Sequence, residues 1–205
     1  MTGALLFWLP LGWLALAVLL AGGVDLLPLP DQNTQNLLDI LAPPSLAHPF
    51  GDDSLGRDIL VRTIYGLRIS LVTGIGSVAV GLLFGGALGM LAGYYRGRLE
   101  AWVMDGMNVV LAFPPLVLAI AITGSAGPAL LKVIVAIGIL FVPAFARIAR
   151  ANTLVFAGKE FVLSARAIGM PDRRILLEEI LPNLLTPLLV YSLLMVAVAI
   201  VAEAS

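Results

Sequence analysis

Long apolar runs constrain the fold of this chain more than any other feature of its sequence. Five segments are predominantly apolar, and each has about the 17 to 25 residues that a helix needs to cross the hydrocarbon core of a bilayer. They lie at about 5–24, 70–94, 103–123, 129–146 and 184–201. The composition agrees, since 60% of the residues are hydrophobic. We therefore predict an all-α polytopic bundle of transmembrane helices with five visible spans.

The first and last runs need separate interpretation. The first lies where a signal peptide would lie, but it lacks a basic start and is longer than the usual apolar core of a signal. We predict a retained first span, with cleavage as the alternative. The chain ends in the largely apolar "VAVAIVAEAS", so we expect that a sixth span is missing from it.

Basic residues in the loops predict the orientation, because cytoplasmic loops carry an excess of Lys and Arg. Eight basic residues share a side with the N-terminus and four lie on the other side. The first group is Arg96, Arg98, Arg147, Arg150, Lys159, Arg166, Arg173 and Arg174, and the second is Arg57, Arg62, Arg68 and Lys132. We predict a multi-pass membrane protein with a cytoplasmic N-terminus.

Composition excludes several classes of function. The net charge of −1 indicates no nucleic-acid partner, and the absence of cysteine excludes disulfides and thiolate metal sites. The chain has no phosphate-binding loop, and the span interiors hold almost no ionisable groups of the kind that ion-coupled transporters use. A protease mechanism at Ser125 lacks a nearby base, because the single histidine is His48. We predict a protein that is not an enzyme, with no cofactor.

Small residues recur at every fourth position of the second run, which places them on one face of a helix. Such a ridge favours close packing, either within the subunit or as a sliding or subunit-contacting face. Its members are Thr73, Ser77, Gly81, Gly85, Gly89 and Gly93. Prolines in the next three runs predict breaks or kinks, because proline removes a backbone donor. They are Pro114, Pro115, Pro143 and Pro187.

Charge concentrates in the segment 159–183, "KEFVLSARAIGMPDRRILLEEILPN". The pattern predicts a short helix over 160–168, a left-handed cap at Gly169, a second helix over 171–179 and an interruption at Pro182. The first helix would carry Phe161, Ser164, Ala165 and Ile168 on one weakly apolar face of small residues. In the second helix the apolar residues would oppose the charged ones: Ile175, Leu176 and Ile180 against Arg173, Arg174 and Glu178. Such a helix pair suits either the lipid headgroup layer or the docking of a soluble protein.

The segment 48–71 begins "HPFGDDSLGRD" and is also rich in charge. Asp53 or Ser54 is predicted to cap a short interfacial helix, whose apolar side comprises Leu55, Ile59, Leu60, Ile64 and Leu67. It would serve as an outer-face docking element or as a cap on the second span. His48, Asp52, Asp53 and Asp58 are of metal-binding types. Capping and interfacial solvation explain the same residues, so we predict no metal site.

Both charged segments resemble those of ATP-driven importers. The segment 159–183 is similar to the Glu-Ala-Ala loop of ABC import permeases: Leu163-Ser164-Ala165 stands at the Glu-Ala-Ala, Gly169 at the glycine and Leu181-Pro182 at the Leu-Pro. Leu163, Ser164 and Glu179 depart from that consensus. "HPFGDDSLGRD" is similar to the signature of C-type permeases of dipeptide, oligopeptide and nickel importers, with Asp52 in place of threonine. The resemblance covers about 43–205.

This resemblance implies a type I permease subunit that forms the pathway for peptides across the plasma (inner) membrane. Its partners would be a sister permease, two ATP-binding subunits, an extracytoplasmic binding protein and membrane lipid. A nickel or metal-chelate permease, a secondary transporter and a membrane scaffold are the alternatives.

The resemblance also implies site residues and a division of the chain. The ATPase-coupling loop would use Glu160, Ser164, Ala165, Arg166, Gly169, Pro171, Leu181 and Pro182. The external signature would use His48, Pro49, Gly51, Asp53, Gly56, Arg57 and Asp58, and the helix-packing ridge Ser77, Gly81, Gly85, Gly89 and Gly93. We predict an N-terminal part, 1–68, and a permease core, 69–205, which includes a coupling segment at 147–183.

Overall fold

The computed structural model describes residues 2–36, 38–124 and 130–203; Ser125 lies outside these ranges. All regular elements in them are helices, which confirms the predicted all-α class. The α-helices are α1 (Thr2–Gly23), α2 (Ile59–Val80), α3 (Gly86–Tyr95), α4 (Gly97–Ala112), α5 (Pro115–Gly124), α6 (Leu130–Phe156), α7 (Glu160–Ala167), α8 (Asp172–Arg174) and α9 (Leu181–Glu203). Val24–Leu26 forms a 3₁₀ turn, and Gly81–Gly85 and Ile175–Ile180 form π-helical turns.

Within the described residues, four helical stretches are long and apolar enough to cross a membrane. They are Trp8–Leu26, Ile59–Tyr95, Leu130–Phe156 and Asp172–Glu203. The predicted third span is instead divided into α4 and α5. Phe113, between them, has an extended backbone with φ −84° and ψ 135°. Because proline disfavours helical geometry in the residue before it, Pro114 explains this break, which confirms the predicted interruption of that run. The described residues therefore contain four continuous helical stretches of spanning length, where the apolar runs predicted five spans.

The remaining prolines do not break their helices. Pro143 lies inside α6 and Pro187 inside α9, and both helices continue through them. The predicted interruption at Pro182 was wrong, because helical structure runs from Asp172 to Glu203. A π-helical turn ends at Ile180, two residues before Pro182, so the regular i→i−4 bonding is already interrupted in the turn against which the proline ring must fit.

The chain divides into two compact units, Met1–Val72 and Thr73–Ser205. The second unit has a core in which Phe145 of α6 and Ile175, Ile180 and Leu184 are fully buried. Other large apolar side chains of its helices are exposed, for example Leu193 with 75% of its surface. In a soluble protein such exposure would be costly, whereas in a bilayer it provides the lipid-facing surface that a span requires.

The ridge of small residues along α2, the first π turn and α3 lies against α6. A Cβ atom on Gly85 would overlap the carbonyl oxygen of Val142, and one on Gly89 would overlap the backbone of Ala146. These glycines therefore allow backbone to approach backbone, which increases van der Waals contact where lipid removes the hydrophobic drive for helix association.

The same contact extends towards both ends of the ridge. The Ser77 hydroxyl donates a hydrogen bond of 3.2 Å to the carbonyl oxygen of Ile134. At the other end, a Cβ on Gly93 would lie 2.8 Å from the carbonyl oxygen of Arg150. The approach is reciprocal, because a Cβ on Gly138 of α6 would lie 2.6 Å from the Cβ of Val80. The ridge is therefore covered within the chain.

A pair of alanine substitutions tests this contact. Gly89→Ala should lower the free energy of unfolding by about 1–3 kcal/mol, because the added methyl group overlaps backbone that cannot rotate away. Gly86→Ala, in the same helix, is the control: its Cβ would meet only the flexible ends of Leu188 at 3.4 Å and Leu82 at 3.9 Å. It should be neutral or stabilise by up to about 1 kcal/mol. Thermal unfolding in detergent measures both, and equal losses would contradict the contact.

Candidate functional site

The segment 159–183 forms two helical arms joined by a sharp turn. The first arm is α7, which begins after Lys159, where the backbone is extended. Glu160 occupies its first turn and Arg166 its last, so both charges favour the helix dipole. The second arm begins at Asp172, one residue later than predicted, and continues through the π turn into α9.

Gly169 ends the first arm in the left-handed conformation, with φ +81°. Its N–H donates to the carbonyl oxygen of Arg166 and the N–H of Met170 donates to that of Ala165, both at 3.0 Å. This pair of bonds is a Schellman motif, which satisfies the last carbonyls of the helix. The predicted cap is confirmed. A Cβ on Gly169 would meet no atom within 4 Å, so only the backbone angle requires glycine here.

The face of the first arm that is buried in the chain lies beside the predicted weakly apolar face. Val162 and Ala165 are buried, whereas Phe161, Ser164 and Ile168 are exposed. The side chain of Val162 joins the same apolar cluster as Ile175, Leu176 and Ile180, so the core lies on the Val162 side of α7. Those three residues of the second arm are buried, and the charged residues predicted to oppose them, Arg173, Arg174 and Glu178, are exposed.

The outer face of the turn carries apolar groups among polar ones. Leu163 is 51% exposed and Ile168 79% exposed. Among the predicted coupling residues, Ala165 is buried and Leu181 is half-buried. The others are exposed: Glu160, Ser164, Arg166, Gly169, Pro171 and Pro182. Val162 and Ala165 thus pack one face of α7 against the core, while Leu163 and Ile168 remain exposed in this chain.

Tyr94 joins the two arms to the end of α3. Its hydroxyl donates a hydrogen bond of 2.6 Å to Oδ1 of Asp172 in the second arm. The guanidinium carbon of Arg166, in the first arm, lies 4.9 Å from the centre of the Tyr94 ring, within cation–π distance. Tyr94 was not among the residues that the sequence pattern predicted for this site. The pair Tyr94-Tyr95 at the end of an apolar run was the available signal, because tyrosines favour the membrane interface.

A second set of polar contacts fixes α4 against α6. Nε of Arg150 donates to Oε1 of Glu100 at 2.6 Å, and the guanidinium of Arg147 donates to Oδ1 of Asn108 at 2.8 Å. The two arginines lie three residues apart on α6, almost one helical turn, and both reach the same neighbouring helix. Helix α6 therefore contacts the glycine ridge on one side and α4 on another.

The segment 48–58 is a compact loop organised around Asp53. The Asp53 carboxylate accepts hydrogen bonds from the N–H groups of Leu55 (2.8 Å) and Arg57 (3.1 Å), and it pairs with the side chains of Arg57 and Arg62. Desolvation alone raises the pKa of Asp53, but these bonds outweigh it and hold the pKa well below its ordinary range. Asp53 is therefore ionised and fully engaged.

The cap of the following helix differs from the prediction. Helix α2 begins at Ile59, and Oδ1 of Asp58 accepts the N–H of Val61 at 3.1 Å, so Asp58 is the capping residue rather than Asp53 or Ser54. Gly56, at φ +67°, turns the chain before this point, and a helix cannot continue through that geometry. The expected separate interfacial helix was wrong too, because α2 continues into the second span.

The apolar side expected of that helix is covered only in part. Of its members in α2, Ile64 is buried, Leu60 and Leu67 are half-buried and Ile59 is more exposed, while Leu55 lies exposed in the loop before the helix.

His48 lies between two carboxylates of this loop. Its Nδ1 is 2.9 Å from Oδ2 of Asp58 and 3.2 Å from Oδ1 of Asp52. Gly51, at φ +72°, makes the bend after His48, and its N–H donates to the His48 carbonyl oxygen at 2.9 Å. Pro49 is exposed beside it. The predicted signature residues are thus brought together in one loop.

Comparison with known proteins places this chain among membrane transport components. It is 44% identical over 162 residues to the glutathione transport system permease protein GsiD of Pectobacterium atrosepticum. The aligned region covers 79% of this chain and 54% of that protein. It is also 41% identical over 162 residues to the dipeptide transport system permease protein DppC of Alkalihalophilus pseudofirmus, and this alignment covers 79% of this chain and 53% of that protein. The chain therefore spans about half the length of these curated relatives.

A family profile gives the broader assignment. The profile is described as a binding-protein-dependent transport system inner membrane component, and it matches residues 85–205. The matched range includes the glycine ridge from Gly85 onward, helix α6 and both helical arms. Because the match covers more than half of the chain, the chain belongs to the family of binding-protein-dependent transport system inner membrane components.

Proposed function

We propose that this chain is a permease subunit of an ATP-driven importer and forms part of a pathway for small peptides across the inner membrane. The observation that carries this proposal is the exposed surface of α7, where Leu163 and Ile168 project from a helix that the chain itself holds rigid. Glutathione and a dipeptide are the cargoes in the names of two relatives, and both are short peptides.

The proposed orientation places the N-terminus and the segment 159–183 in the cytoplasm. The distribution of Lys and Arg supports this, because eight basic residues then lie inside and four outside. A cytoplasmic α7 is accessible to two ATP-binding subunits, and the loop 48–58 faces a binding protein outside. A sister permease would complete the pathway.

Rigid contacts inside the second unit supply a route for coupling. A movement of α7 passes to α3 through Arg166, Tyr94 and Asp172, which link both arms to the end of that helix. Helix α3 in turn packs backbone to backbone on α6 at Gly89. Closely packed helices shift as bodies rather than deforming, so closure of an ATP-binding subunit on α7 would rotate these spans together.

Leu163, which replaces the glutamate of the family consensus, would give α7 an apolar contact with its partner. The consensus has glutamate here, which pairs with charge, whereas a half-exposed leucine offers apolar surface instead. We infer that the partner presents an apolar pocket to Leu163 and Ile168. Charged neighbours such as Glu160 and Arg166 would surround this contact and select the correct partner, as rim charges do at other interfaces.

Assembly and transport test the proposed function directly. The chain is purified from native membranes, its co-purifying ATP-binding subunits are identified, and the complex is placed in vesicles with a labelled dipeptide. We expect uptake that requires ATP and the binding protein. Uptake that persists without the ATP-binding subunits would indicate a secondary transporter, and a stable complex with no uptake of any peptide would indicate a scaffold.

Substitution at Gly169 should uncouple ATP hydrolysis from transport. Gly169→Val forces a β-branched residue to adopt φ +81°, which costs about 1–2 kcal/mol and shifts the turn, although no neighbouring atom blocks the side chain. Peptide transported per ATP should fall while the bundle remains folded. Gly158→Val is the control, since Gly158 has no positive φ and its Cβ would lie 3.7 Å from the nearest atom. Normal uptake by the Gly169→Val variant at normal expression would contradict a coupling role for this turn.

Removal of one hydroxyl group should weaken the route through Tyr94. Tyr94→Phe loses the hydrogen bond to Asp172 but keeps the ring beneath Arg166, so stability should fall by about 1 kcal/mol. The ratio of ATP hydrolysed to peptide transported should rise. Tyr95→Phe is the matched control, because Tyr95 is adjacent and 49% exposed. An unchanged ratio in Tyr94→Phe would remove this residue from the route.

A further inference from the structure

We propose that His48, Asp52 and Asp58 form a binding site for a divalent transition-metal cation of the Zn²⁺ type. One potential ligand atom from each residue lies within 4.8 Å of the others. One imidazole nitrogen and two carboxylate oxygens are a donor set that suits Zn²⁺ and its neighbours in the first transition row. The proposal is independent of the transport role, because it concerns only the loop 48–58.

The two separations from the His48 nitrogen suit ligands on one metal ion. With bonds of about 2.1 Å, ligand atoms lie about 3.0 Å apart at right angles and about 3.4 Å apart at the tetrahedral angle. Nδ1 of His48 lies 2.9 Å from Oδ2 of Asp58 and 3.2 Å from Oδ1 of Asp52. The last torsion of an aspartate side chain has a broad energy minimum, so a modest rotation of the Asp52 carboxylate would bring all three ligand atoms to bonding distance from one ion.

An unpartnered buried oxygen gives a second, independent indication. Asp52 is only 5% exposed, and its Oδ2 has no hydrogen-bond partner among the residues that the structure describes. Burying a carboxylate oxygen in this state is costly unless a cation compensates it. His48 cannot satisfy both acids, because Nδ1 carries at most one proton and faces two carboxylates. A divalent cation would bind all three groups at once.

The fold holds these ligands in place and leaves access to them. Asp52 and Asp58 face each other in an antiparallel backbone bridge, flanked by bonds from Asp53 N–H to the Arg57 carbonyl (2.9 Å) and from Ile59 N–H to the Gly51 carbonyl (3.1 Å). A cavity of about 210 Å³ is lined in part by His48 and Asp58. Water in this cavity could supply the remaining ligands.

Asp53 shows why only three of the four candidate residues belong to the site. Its carboxylate is occupied by two backbone N–H groups and by Arg57 and Arg62. The arginines of the loop therefore neutralise Asp53, and the carboxylates of Asp52 and Asp58 turn to the imidazole instead. Bound metal would tie residues 48 and 52 to the cap of α2 and rigidify the loop.

The single histidine of the chain allows a direct test. The full chain is purified without a polyhistidine tag, labelled with ¹⁵N-histidine and titrated with Zn²⁺ in detergent. We expect binding of one Zn²⁺ per chain and a shift of the only Nδ1 resonance, without a comparable shift from Mg²⁺, which rarely takes nitrogen ligands. An Nδ1 resonance unmoved at about 100 µM Zn²⁺, or a comparable shift from Mg²⁺, would overturn the proposal.

Variants locate the bound ion. Asp52→Asn preserves shape and should weaken Zn²⁺ binding at least about tenfold. Asp31→Asn is the matched control, because Asp31 lines the same cavity outside the cluster, and its affinity should equal that of the unaltered chain. Equal affinity in Asp52→Asn and the unaltered chain would place the ion elsewhere and contradict the site. If Asp52→Asn does not fold, the titration of the unaltered chain still decides.

Discussion

Close approach of two backbones, between the glycine ridge and α6, is the constraint on which the second unit depends. In lipid no hydrophobic force draws helices together, so contact must come from shape. Gly85 and Gly89 remove the side chains that would hold α6 away, and Gly138 does the same from the other side. The ridge thus packs its helices closely against α6, while the outer surfaces of these helices remain apolar and exposed.

The helical arms depend on this packing in turn. Tyr94 ends the helix that carries the ridge, and its ring and hydroxyl hold Arg166 and Asp172. The Schellman motif at Gly169 satisfies the turn internally, so its outer face needs no partner within the chain and can be offered to another protein. A soluble motor that moved α7 would therefore act on packed spans rather than on a loose loop.

Local signals in the sequence predicted much of this architecture. Apolar runs predicted a membrane bundle, Pro114 predicted the break after α4, and Gly169 predicted a left-handed cap, because each depends on nearby residues alone. The interruption at Pro182 was predicted wrongly, since a preceding π turn lets the helix continue. The burial of Val162 was not predicted, since it depends on packing against a distant core. Nothing local indicates the pairing of Tyr94 with Asp172, 78 positions away. Likewise, the residue types of the loop 48–58 were visible, but the position of His48 between two carboxylates required the fold.

Site-specific crosslinking from α7 can show whether this helix contacts an ATP-binding subunit. The chain contains no cysteine, so Leu163→Cys and the buried Val162→Cys each introduce one reactive group. In native membranes, we expect Leu163→Cys to crosslink to a protein with a phosphate-binding loop, with a yield that changes on ATP addition, and we expect no such crosslink from Val162→Cys. Crosslinking of Leu163→Cys to lipid alone, or equal crosslinking from both positions, would contradict this contact.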